Sequence, residues 1–363
     1  MSLTASELKI RTTKKIAEFF SEHNFSILIS SHENGQIISL GSLKKQFAYR
    51  AYTCAKPMGI AATTDRLAVV ADDSIKLFNL KKYSNSLASK NGEDQVSSSH
   101  FIASFSRYLG KIDCHEIVLS DESIIFANTK LNCLCEVRET SQNHFIPIWK
   151  PDFIDSLVYE DRCHLNGLDC DPRSKGDFVV SCHGHQNHHK SWSNDIQPDQ
   201  GCLIHSRHGT LLNENLSMPH SPRFWNDQIV FCNSGYGTLN LYNIDSGQHE
   251  IIVQLPGFTR GLSIFKQYAI VGFSKVRERS FFKNLPILDR IKNNDDLRCG
   301  LAIIDLVERR MIHGIEFLGL VNEVFAVQIL SNIQISELIG LSHASTSLDF
   351  DWMNVLEVPS NVL

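Results

Sequence analysis

Glu160-Asp161-Arg162-Cys163-His164-Leu165-Asn166-Gly167 is the stretch whose reading decides the fold. It sets two acids, a guanidinium, a thiol, an imidazole and an amide side by side, more titratable chemistry than an ordinary turn needs. It then runs into Leu168, turns at Asp171-Pro172, and continues as Asp177-Phe178-Val179-Val180-Ser181 and Gly201-Cys202-Leu203-Ile204. Short apolar runs divided by turn residues read as successive antiparallel strands.

The same unit recurs. Polar lead-ins stand at Lys56-Pro57-Met58, Asp113-Cys114-His115-Glu116, Met218-Pro219-His220-Ser221-Pro222-Arg223, Phe258-Thr259-Arg260-Gly261 and Asn322-Glu323-Val324-Phe325. With the stretch above they make six, spaced roughly 40 to 60 residues apart. Repeats of about 40–50 residues with three or four strands each are the signature of propeller blades. The expectation is an all-β chain folded as a single β-propeller of six blades, seven being the alternative, with a short N-terminal helix. The sixth unit lacks outer strands. The hairpin Ser26-Ile27-Leu28-Ile29-Ser30 and Gln36-Ile37-Ile38-Ser39-Leu40 would supply them and close the ring, with a type I′ turn expected at Asn34-Gly35. This divides the chain into a helical segment at 1–24, a propeller at 25–350 and a tail at 351–363. The helix is expected between Ser6 and His23, where Leu8, Ile10, Ile16, Phe19 and Phe20 recur at helical spacing. Two inserts interrupt the pattern. Residues 83–95 read as a solvated loop, and 275–297 as a helix or lid over one face.

Composition narrows the class. The 363 residues are 42% hydrophobic and 21% charged, with a formal charge of −5, which describes a globular chain and makes nucleic acid a poor partner. No apolar run approaches the ~20 residues of a membrane helix, and Met1-Ser2-Leu3-Thr4 opens no secretory leader. The ten cysteines are scattered, mostly within apolar runs, and read as reduced buried thiols of a cytoplasmic protein. Cys133-Leu134-Cys135 has no second pair with which to make a zinc site.

In a propeller the first strand of every blade lines the central channel, so the lead-ins meet at one mouth. That gathers His115, Glu116, Asp161, His164, Asn166, His220, Arg223, Arg260 and Glu323 as candidate catalytic residues. His115, His164 and His220 are the candidate metal ligands, since neutral imidazoles beside an acid suit Zn, Fe or Mn with an open position. Without a metal, a histidine next to a carboxylate serves as a general base, and Arg223 or Arg260 would hold an anion. The structural alternative is that these histidines bond neighbouring backbone and lock the ring. Glu160 and Arg162 are expected to be a local ion pair. His183-Gly184-His185-Gln186-Asn187-His188-His189 is expected to be a solvated loop, and Trp192 is divided evenly between pocket floor and packing. Ser221 and Cys163 adjoin histidines, but neighbours on a strand face opposite ways, which weakens covalent catalysis. No glycine-rich phosphate loop is present.

The strings Asp113-Cys114-His115-Glu116, Phe126-Ala127-Asn128-Thr129, Ser217-Met218-Pro219-His220-Ser221-Pro222-Arg223, Pro256-Gly257-Phe258-Thr259-Arg260-Gly261-Leu262 and Ser274-Lys275-Val276-Arg277-Glu278 join the opening stretch in a resemblance. Over roughly 55–330 the chain resembles an uncharacterised family of bacterial conserved hypothetical proteins, catalogued as a domain of unknown function. The resemblance implies a shared polar site and brings no reaction with it. The leading functional expectation is a propeller enzyme of lyase, hydrolase or isomerase type, with or without a divalent metal. It would act on a small polar or anionic substrate, such as a modified peptide or sugar acid. The alternative is a non-catalytic propeller that binds a peptide or protein partner at the same face.

Overall fold

The structure, a computed structural model, describes residues 8–83, 98–120, 123–138, 144–194, 199–208, 210–276, 284–319, 321–346 and 355–358. The expected loop at 83–95 falls outside them beyond Tyr83, as do Ser6 and most of the tail.

Six sheets are arranged as the six blades of a β-propeller. Their innermost strands are Pro57–Ala62, Cys114–Leu119, Leu165–Cys170, Pro219–Trp225, Phe258–Phe265 and Ala326–Ser331, which makes them blades 1 to 6 in chain order. Every polar lead-in therefore opens an innermost strand. The middle strands are buried on both faces because each is sandwiched between neighbouring blades. Phe178–Cys182 in blade 3 is buried throughout and reads as an unbroken apolar run. The core accordingly lies between blades: one cluster joins Leu28 of blade 6, Val69 and Phe78 of blade 1, and Ile117 and Phe126 of blade 2.

The ring closes as its sequence requires. Ala326–Ser331 pairs with Phe25–Ser31, which continues into Gln36–Leu43 and Gln46–Thr53, so one blade holds both ends of the repeat array. The turn between its first two N-terminal strands is not type I′. It has four residues, and of these only Gly35 takes positive φ (63°). Hydroxyls latch blade to blade: Ser30 donates to the Met58 carbonyl (2.6 Å), Thr129 to that of Leu165 (2.6 Å) and Ser274 to that of Val324 (3.2 Å).

The N-terminal segment differs from the expectation. The helix spans only Ile16–His23, with Ile16, Phe19 and Phe20 buried, while Ile10–Thr13 is a fifth strand of blade 5, paired with Arg310–Phe317. Lys15 and Asn24 both take left-handed conformations, which bounds the helix on each side. Val355–Val358, assigned from sequence to a separate tail, pairs in parallel with Ile10–Thr13. The ring thus continues past its expected limits by adding edge strands. All ten cysteines are free thiols, nine of them buried. Among the described residues no helix is long and apolar enough to cross a membrane.

Candidate functional site

The lead-ins share one local construction. Asp113, His164 and Met218 each take a left-handed conformation (φ 50°, 50° and 49°) immediately before the inner strand, and Lys56 does the same (41°). The carbonyl of that residue then accepts from the side chain two positions on: His115 Nδ1 to Asp113 (2.8 Å), Asn166 Nδ2 to His164 (3.1 Å) and His220 Nδ1 to Met218 (2.8 Å). One residue further on, each strand touches the next blade. A Cβ on Gly167 would lie 2.9 Å from the Ser221 nitrogen, and Ser221 Oγ accepts from the Gly261 amide (3.2 Å). A Cβ on Gly261 would in turn lie 3.0 Å from the Ala326 carbonyl carbon. This close packing, together with register bulges in the inner strands of blades 1 to 5, sets the rotation of each strand at the mouth.

Side chains consequently form two tiers around the axis. The lower tier is Met58, His115, Asn166, His220, Arg260 and Phe325. The upper is Asp113, His164, Met218, Phe258 and Glu323, each two residues earlier in the chain, whereas Lys56 turns away to pair with Asp72. A cavity of about 230 Å³ lies at the mouth, lined from both tiers and by His183, His32 and Trp192. Beneath it His115, Asn166, His220, Arg260, Glu116 and Phe325 enclose a space of about 10 Å³, room for one water.

Four imidazoles run along one side of the mouth. Ring centres are 4.8 Å apart for His115 and His164, 4.5 Å for His164 and His183, and 4.8 Å for His183 and His220. Their outward partners determine where protons sit. A carbonyl can only accept, so His115 and His220 carry hydrogen on Nδ1 and turn Nε2 inward as a lone pair. His164 donates from Nδ1 to Asp161 Oδ2 (2.7 Å), while Asp161 Oδ1 accepts from the His164 amide (3.0 Å). Given that His220 tautomer, the 3.3 Å approach of His183 Nε2 to His220 Nε2 requires His183 to donate. Burial, then the neighbouring His164 and Arg260, hold His115 well below the ordinary histidine range. Burial, then His164 and His220, do the same for His183. The guanidinium of Arg260 lies 3.3 Å above the Phe325 ring centre.

A family profile described as a domain of unknown function, DUF4915, matches residues 14–339. The chain belongs to the DUF4915 family. No curated protein matches it. Among solved structures, this DUF4915 chain is similar to one from a nidogen/laminin complex, at 11% identity and TM-score 0.52, over 85% of this chain and 99% of that one. It is also similar to a protein of unknown function from Bacteroides caccae, at 11% identity and TM-score 0.50, over 84% and 98% respectively. At this identity the likeness is one of fold.

In this DUF4915 propeller, His115, His164, His220, Arg260 and Glu323 do line one cavity. The other candidates stand around it. Asp161 lies behind His164 and orients it. Asn166 accepts from Ser181 Oγ (2.9 Å) in the lower tier. Glu116 accepts from Arg223 Nη2 (2.8 Å), and Arg223 also donates to the Leu168 carbonyl (3.1 Å), so that pair ties blades 2, 3 and 4 together below the mouth. Glu160 and Arg162 are the local ion pair expected (2.9 Å). Among the described residues, no group of three or more His, Cys, Asp or Glu side chains is arranged to hold a metal ion.

Sequence reading missed His183. Only the later part of its cluster, at His185, His188 and His189, is exposed, whereas His183 is buried and faces His220. The available signal was its position one residue past the apolar strand Phe178–Cys182, at the inner end of a hairpin. Its amide bonds the Cys163 carbonyl (3.0 Å), which turns the ring inward. Trp192 belongs to the pocket wall, 4.0 Å from the His164 ring.

Proposed function

We propose that the mouth is the active site of a propeller enzyme acting on a small polar or anionic substrate by elimination, hydrolysis or isomerisation. The observation that carries this reading is the gathering of four imidazoles and Arg260 around one small cavity. His164, held by Asp161, offers Nε2 as the proton acceptor. Arg260 steadies negative charge on the substrate or on a developing oxyanion, while the inward Nε2 lone pair of His115 accepts a hydrogen bond from the substrate. A cavity of about 230 Å³ suits a small molecule better than a peptide segment, which ranks the binding-only propeller second. In the metal-dependent form of the reading, His115, His164 and His220 would supply Nε2 to a Zn, Fe or Mn ion, which requires the rings to rearrange and His220 to give up its contact with His183. The hydrogen bonds at their Nδ1 atoms are the usual outer support of such ligands.

Two measurements test this. Calorimetric titration with a panel of small carboxylates and phosphate monoesters is expected to find a ligand whose binding is lost in Arg260→Gln. Metal analysis before and after chelation separates the two forms. Stoichiometric metal that is lost in His164→Ala supports the metal-dependent one. A folded His115→Ala/His164→Ala/His220→Ala variant that binds every ligand as the parent does would remove the imidazoles as the working part.

A further inference from the structure

The polar half of the cavity has an apolar counterpart that the catalytic reading does not use. Met58, Met218, Phe258, Phe325, Val324 and Val276 line the same space. Aromatic rings also stand against the imidazoles: Phe325 lies 5.7 Å from His115, Phe258 5.5 Å from His220, and Trp192 4.0 Å from His164. This wall is not a loose flap. Met218 and Phe258 pack in one buried cluster with Leu285, Ile287 and Leu297 of the insert. Arg290 pins that insert by donating to the Leu255 (2.7 Å) and Tyr236 (3.3 Å) carbonyls. The apolar surface is therefore held in place before any ligand arrives.

A substrate that is polar all round, such as a sugar acid, would leave this wall facing hydroxyl groups and strip them of water without replacing their hydrogen bonds. A ligand with one anionic head and an apolar body satisfies both halves. We infer that the substrate class is an amphipathic monoanion, a carboxylate bearing an aromatic or branched aliphatic body of roughly a dozen non-hydrogen atoms at protein packing density. The head is set at Arg260, and the body against Phe258 and Met218. This inference rests on the anion-site reading above and narrows it.

The test compares phenylpropionate with galacturonate by calorimetry, supported by quenching of Trp192 fluorescence. Phenylpropionate is expected to bind at least about tenfold more tightly, a difference of about 1.4 kcal/mol. Phe258→Ala should weaken phenylpropionate binding more than galacturonate binding and so remove most of that preference. Phe258→Leu, which keeps the apolar volume closer to native, should retain part of it and serves if the alanine variant does not fold. Equal or tighter galacturonate binding would overturn the amphipathic assignment and leave the anion site standing. Failure of both anions to bind would sink the anion site and this inference together.

Discussion

His164 shows how much hangs on a single residue's place in the register. By sequence it aligns with His115 and His220, each being a histidine in a polar lead-in. In the fold it is the left-handed residue of its own lead-in, two positions earlier, and Asn166 occupies the place equivalent to the other two. The imidazole nevertheless lines the same cavity, because Asp161 bonds its Nδ1 and holds the ring between those of His115 and His183. Glu116 and Arg223 move the other way. Both were candidates for the mouth, yet they pair below it. Glu116 is only 6% exposed, so removing its partner leaves a buried charge. Arg223→Met is expected to cost about 3–5 kcal/mol in urea unfolding at pH 7. A small loss would show that the pair carries little of the joint between blades 2, 3 and 4.

At the scale of elements, the inner strands and the insert position the site. Strand periodicity was legible because each blade repeats short apolar runs between turn residues. The bulges were not legible. They depend on how Gly167, Ser221 and Gly261 fit against the next blade, a contact between residues about 40 or more apart in sequence. The insert at 275–297 was read as a lid, and its described part does cover one side of the mouth through Leu285 and Ile287. Ile287 is fully buried. Ile287→Ala is expected to loosen the insert by about 2 kcal/mol or more. Hydrogen exchange would report this as faster amide exchange across residues 284–297, with the six inner strands still protected. Unchanged exchange would show that the insert is held by Arg290 instead.

At the scale of the molecule, the six blades form a closed cycle in which each inner strand is latched to the next by a hydroxyl or a close backbone contact. The closing blade takes its innermost strand from near the C-terminus and three others from near the N-terminus. Removing residues 1–43 takes away Phe25–Ser31 and Gln36–Leu43 and leaves Ala326–Ser331 with an open edge. The truncated chain is expected to aggregate, eluting in the void on size exclusion or remaining insoluble. A truncated chain that elutes as a folded monomer would show that five blades hold the sixth strand unaided.

The amino-acid sequence by itself determined the class of fold, a blade count of six or seven, the hairpin that closes the ring and the end of the propeller at which histidine and arginine collect. Those features follow from local patterns: apolar alternation, turn residues and the spacing of one repeated unit. Only the tertiary structure decided which of those residues share a cavity. It drew in His183, turned Glu116 and Arg223 into a joint between blades, and set apolar side chains against the imidazoles. The physical reason is rotation about each inner strand. A shift of one residue turns a side chain from the axis to the neighbouring blade, and that rotation is set by packing between blades, not by anything within one of them.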